Sequence, residues 1–159
     1  AKESSEKMQA PMCYCKNMSV DAILHYYAGQ LEDAGVSFHH SIEVPQKMKI
    51  TDLDICRIFG NLLENAVRAV KADKETEEPY VNCICRVRMG KLLIDIENSY
   101  SGEVRRNGDV FYSTSHSGQG IGTASVSKTA EKYGGYADFE ASEGVFRANV
   151  FIPLENSGS

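Results

Sequence analysis

The stretch Asn61-Leu62-Leu63-Glu64-Asn65-Ala66 constrains this chain more than any other, because it sets two asparagines one helical turn apart inside an amphipathic pattern. The pattern runs from about Asp52 to Ala72, with Ile55, Phe59, Leu62, Ala66 and Val70 as its apolar stripe. Either Thr51 or Asp52 can cap its start. Asn61, Asn65 and Arg68 follow one another at intervals of four and three, so they project from one helical face. An asparagine pair alone is commonly the polar flank of a surface helix. Its weight depends on what the rest of the chain supplies.

From Ser19, Val20, Ile23, Leu24, Tyr27 and Leu31 keep helical spacing, and Gly35 ends that helix. Val36, Phe38, His40, Ile42 and Val44 alternate, which predicts a strand closed by Pro45. The charged run from Lys71 to Pro79 reads as a solvated loop. Tyr80 to Met89 and Leu92 to Asn98 read as two strands turning at Gly90-Lys91. Ser99 to Ser117 has no period and reads as a long loop, functional or disordered. A third helix is predicted from about Gly120 to Tyr133, then a hairpin of Tyr136 to Ala141 and Val145 to Ile152. The order α-β-α-β-β-loop-α-β-β predicts an α+β two-layer sandwich, with the helices on one face of a mixed, mostly antiparallel sheet. Residues 1–17 read as a tail or linker remnant, 18–154 as one domain and 155–159 as a C-terminal tail.

At 159 residues the chain is long enough for one domain with a real core. A net charge of -5 supplies no basic field for nucleic acid. The apolar runs are too short to span a bilayer and no signal-peptide pattern opens the chain. A start on Ala1 rather than Met leads us to expect a piece of a longer protein. Of the five cysteines, Cys13 and Cys15, and Cys83 and Cys85, make two C-x-C pairs far apart without a nearby histidine, and Cys56 lies in the helical pattern, which argues against zinc. Cys83 and Cys85 share the apolar face of their strand with Val81 and Val87 and are expected to pack in the core as reduced thiols of a cytoplasmic protein.

Several groups can carry chemistry. A carboxamide oxygen suits Mg²⁺, and a guanidinium suits phosphate. Asn98 ends the strand Leu92-Leu93-Ile94-Asp95-Ile96-Glu97 on the same face as its aliphatic residues, where a buried amide needs a partner. Gly118-Gln119-Gly120-Ile121-Gly122 opens a helix with little side-chain bulk, and free N–H groups at a helix start favour an anion. It is neither a dinucleotide G-x-G-x-x-G after a strand nor a phosphate loop G-x-x-x-x-G-K-[ST].

Together, the asparagine helix, the long polar loop and the glycine-rich helix start resemble the GHKL ATPase superfamily, over about residues 19–154. Within it, the chain is similar to the ATP-binding domain of sensor histidine kinases, a Bergerat-type fold, and to its peptide-sensing quorum type. The resemblance implies ATP and Mg²⁺ as cofactors. It makes Asn65 the magnesium ligand and Arg68 a phosphate contact. Asn61, Asn98, Gly102, Gly118, Gly120, Ile121 and Gly122 complete the nucleotide site, with Asn61, Glu64 and Arg68 as the catalytic set. Asn61 stands where hydrolysing members carry a water-activating glutamate, and an amide is no general base. That favours phosphoryl transfer to a side chain. The stretch Asn98-Ser99-Tyr100-Ser101-Gly102 departs from the family's D-x-G-x-G adenine box, since Asn replaces Asp and Tyr100 replaces a glycine.

The resemblance therefore implies the catalytic domain of a two-component histidine kinase, cytoplasmic or the cytoplasmic part of a membrane-anchored sensor. It implies as partners a separate phosphoacceptor histidine domain and a response regulator, in a homodimeric parent. Nucleic acid and direct membrane contact are not expected. His25, His39, His40 and His116 lack the surroundings of a phosphoacceptor motif. Two alternatives stand beside this. One is a degenerate GHKL module that holds nucleotide poorly and serves as a scaffold, favoured by Asn98 and Tyr100. The other is an anti-sigma-type serine kinase.

Overall fold

A computed structural model describes residues 11–101, 104–107, 110–113 and 119–154, and the side chains of 11–101 and 122–154. Three helices, α1 (Met18–Asp33), α2 (Asp52–Ala72) and α3 (Gln119–Lys132), cover one face of a sheet. The sheet comprises β1 (Ser37–Ile42), β2 (Tyr80–Arg88), β3 (Lys91–Ser99), β6 (Tyr136–Ser142) and β7 (Val145–Pro153). Its order is β1-β2-β3-β7-β6; β1 runs parallel to β2 and every other pairing is antiparallel. The parallel step follows from α2, which crosses over between β1 and β2. The two-layer α+β architecture expected from the sequence is the one found.

The first two helices begin where the chain supplies an acceptor for their free N–H groups. Asn17 Oδ1 accepts from the Val20 N–H at 3.1 Å at the start of α1. Thr51 Oγ1 accepts from the Asp54 N–H at 3.1 Å at the start of α2. Gly35, at φ +75°, carries the chain out of α1 in a conformation that costs other residues energy. The lead-in to α1 makes contacts of its own: the Tyr14 N–H donates to Asp21 Oδ1 at 2.5 Å, and Tyr14 packs on the core beside Phe38.

The strand alternation gives the core its second wall. Val81, Cys83 and Cys85 of β2, Leu92, Ile94 and Ile96 of β3, and Ala148, Val150 and Ile152 of β7 are buried against the helices. The two cysteines are core residues, as their alternation predicts, and all five cysteines are free thiols. Phe59 and Leu63 of α2 are fully buried, each such side chain contributing roughly 2 kcal/mol of apolar burial. The opposite sheet face carries an ion-pair cluster: Arg147 donates to Glu97 Oε1 at 2.6 and 3.1 Å and lies 3.7 Å from Asp95.

One expectation is corrected. The stretch Ser99–Ser117 is not all loop, because β4 (Val104–Asn107) and β5 (Val110–Ser113) pair antiparallel as a separate ribbon. Their four-residue length and lack of apolar alternation hid them. The ribbon lies against α3 through β5. Among the described residues, no helix is long and apolar enough to cross a membrane.

Candidate functional site

The site is built along α2. Its inner residues, Ile55, Ile58, Phe59, Leu62, Leu63, Ala66, Val67 and Val70, are buried, and this fixes the rotation of the helix. Asn61 and Asn65 are then left half-buried on the flank facing the first turns of α3. They meet at Gly122. A Cβ on that glycine would lie 3.5 Å from Asn65 Oδ1, 3.6 Å from Asn65 Nδ2 and 3.9 Å from Asn61 Oδ1. The helical asparagine pair and the last glycine of the glycine-rich stretch, 57 residues beyond Asn65, therefore border one small space. The backbone of Gly120 and Ile121 is helical and leads into it; Gly118 lies outside the described residues.

Arg68 and Glu64 stand further round the helix. Arg68 Nη2 is 3.0 Å from Glu64 Oε2, and the other carboxylate oxygen of Glu64 accepts from the Tyr27 hydroxyl of α1 at 2.9 Å. Burial and then the Glu64 carboxylate push the Tyr27 hydroxyl up to about 12. These three side chains, with Asn61, Leu53, Cys56, Arg57, Gly60 and Ser125, line an open groove of about 560 Å³. Asn61 thus belongs both to the groove and to the space at Gly122, where Asn65 joins it.

Asn98 lies at the end of β3 on the helix-covered face, 2% exposed, as its alternation predicts. Its Nδ2 donates to the Ser99 carbonyl at 2.9 Å. The chain beyond it is pinned: Tyr100 N–H donates to the Gly144 carbonyl at 3.0 Å, and Ser101 Oγ donates to Asp73 Oδ1 at 2.5 Å. Gly102 lies outside the described residues.

Two side chains that shape the site escape sequence reasoning. Tyr27 counts only as one of the apolar positions of α1, and its partner is 37 residues away. Asp54 reads as an ordinary acid in the first turn of α2 but is 2% exposed. It accepts from Lys132 Nζ at 2.8 Å, from Arg57 Nη1 at 2.9 Å and from the Tyr133 hydroxyl. The hydrogen bond from Lys132, then that from Tyr133, hold its carboxyl below the usual 3.8. This clamp fastens the end of α3 to the start of α2, so that the opposite end of α3 meets Asn61 and Asn65.

Residues 48–153 match the GHKL domain family. No curated protein matches the chain. Among solved structures, the fold is similar to the nucleotide-free catalytic domain of histidine kinase ThkA, with a TM-score of 0.65 and 14% identity, covering 87% of this chain and 92% of that one. It is also similar to histidine kinase AdeS of Acinetobacter baumannii, with a TM-score of 0.66 and 13% identity, covering 96% and 72%. The mycobacterial sensor histidine kinase MprB gives 0.65 and 17%, covering 87% and 95%. At these identities the likeness to the three structures is one of fold.

Proposed function

The chain belongs to the GHKL domain family, and on that premise we propose that it is the ATP-binding catalytic domain of a two-component sensor histidine kinase. One observation carries the reading: the amides of Asn61 and Asn65 border the same space as Gly122 at the start of α3. The family places a triphosphate at such a junction. The donor set fits Mg²⁺, whose preference is for oxygen ligands and which Asn65 would hold through its carboxamide oxygen. The bound ion neutralises phosphate charge.

The chain's own residues do the rest. A helix start such as that of α3 favours an anion, and the absent side chain at Gly122 would let a phosphate approach. Arg68 adds a guanidinium at the groove. Asn98 would accept from the adenine amino group at the buried end of β3. Phosphoryl transfer of this kind is achieved mainly by positioning and charge stabilisation. Asn61 cannot take a proton from water, which disfavours hydrolysis and leaves the γ-phosphate for a better nucleophile. We assign that nucleophile to a histidine on a separate domain of a homodimeric parent, with a response regulator downstream and a cytoplasmic setting.

The test is to supply labelled ATP and Mg²⁺ to the protein together with its phosphoacceptor domain. The expected product is a phosphoryl group labile to acid and stable to base, as on nitrogen. An acid-stable ester would favour the serine-kinase reading. A second reading, a module with little nucleotide affinity, draws on the neutral Asn98 and on Tyr100, which stand where the family's adenine box carries Asp and glycine.

A further inference from the structure

We propose that Tyr27 is a positioning residue for phosphate binding, acting through Glu64 to hold the Arg68 guanidinium in place before the nucleotide arrives. The inference rests on the ATP-binding reading above and adds to it a residue of another helix.

The geometry is a relay of two contacts. Glu64 uses its two carboxylate oxygens in different directions: Oε1 accepts from the Tyr27 hydroxyl at 2.9 Å, and Oε2 lies 3.0 Å from Arg68. Glu64 and Arg68 are about 40% exposed, so their pair alone is a screened, weakly ordering contact. Tyr27 differs from both. It packs against the core on α1, and its ring has few rotamers. A hydroxyl donated to a carboxylate is a charge-assisted bond, stronger than a neutral one. Tyr27 therefore supplies the rigid end of the relay, Glu64 the link and Arg68 the moving end. All three line the same groove as Asn61.

The consequence concerns affinity. An unrestrained arginine loses rotamer freedom when it closes on phosphate, and restraining it beforehand reduces that loss. Displacing α1 along α2 would act on Arg68 through the same two contacts. A purely structural Tyr27 would tie α1 to α2 without affecting the order of the Arg68 guanidinium.

The test has two arms on the same protein. In the first, ¹⁵N relaxation reports the order of the Arg68 Nε–H group without nucleotide. We expect it to be ordered in the wild type and measurably less ordered in both Tyr27→Phe and Glu64→Gln. In the second, calorimetric titration with Mg·ATP is expected to show about fivefold weaker binding for Tyr27→Phe. Equal Arg68 order in the wild type and Tyr27→Phe would overturn the relay. So would unchanged affinity in a wild type that binds Mg·ATP. If the wild type binds no Mg·ATP, the nucleotide reading and this phosphate role fail together, while the first arm still shows whether Tyr27 restrains Arg68.

Discussion

The two ends of the seam between α2 and α3 are built on opposite plans. At the start of α2, Asp54 is buried and its carboxylate is engaged by Lys132, Arg57 and Tyr133. Two turns later, Asn61 and Asn65 are only half-buried and face a glycine. One end satisfies its polar groups within the chain; the other presents amides to a space that Gly122 leaves unfilled. A buried carboxylate with charged donors is costly to leave unpaired, so the first end resists opening. Neutral amides tolerate water, so the second end can exchange solvent for a ligand. The fixed end sets where α3 lies, and the open end makes use of that placement.

This contrast breaks most severely where the fixed end meets the sheet. A Cβ on Gly135, just past α3, would lie 1.9 Å from the Phe151 carbonyl oxygen, so backbone must move. Gly135→Ala is expected to cost about 3 kcal/mol, read as a lowered midpoint in urea unfolding. Asn65→Ala acts at the open end and should weaken Mg·ATP binding about 100-fold by calorimetry, with the unfolding midpoint unchanged.

Asp54→Asn should cost about 2 kcal/mol of stability, the scale of hydrogen bonds to a charged group. The sign of its pH dependence follows from the depressed carboxyl. Its contribution is fully present above the unfolded value of 3.8 and is lost as pH falls through the lower folded value. Thermal melts from pH 6 down to pH 2 should therefore fall more steeply for the wild type than for Asp54→Asn. Gly122→Ala is the mildest change and the sharpest discriminator. Its Cβ would make ordinary contacts in the empty protein, and alanine is the better helix former by up to about 1 kcal/mol. Stability should hold or rise while Mg·ATP affinity drops about tenfold, since the added methyl occupies the phosphate's approach.

The open end was largely legible in the sequence and the fixed end was not. The Asn61/Asn65 spacing, the apolar stripe of α2 and the glycine-rich helix start are local patterns, and periodicity alone predicts their elements. Asn98 was legible for the same reason, because alternation along β3 sets it on the buried face. The clamp is non-local. Lys132 and Tyr133 lie 78 and 79 residues from Asp54, and nothing near Asp54 separates a buried acid from a capping one. Tyr27 and Glu64 pose the same difficulty across 37 residues. The β4–β5 ribbon was missed because its strands pair only with each other, outside the five-stranded sheet whose burial creates a readable alternation.

The most direct test of the open end as a nucleotide site is a calorimetric titration of the folded protein with Mg·ATP, beside Asn65→Ala. We predict saturable binding that Asn65→Ala weakens about 100-fold while the protein stays folded. Absence of binding at millimolar Mg·ATP, or binding that Asn65→Ala leaves intact, would contradict it.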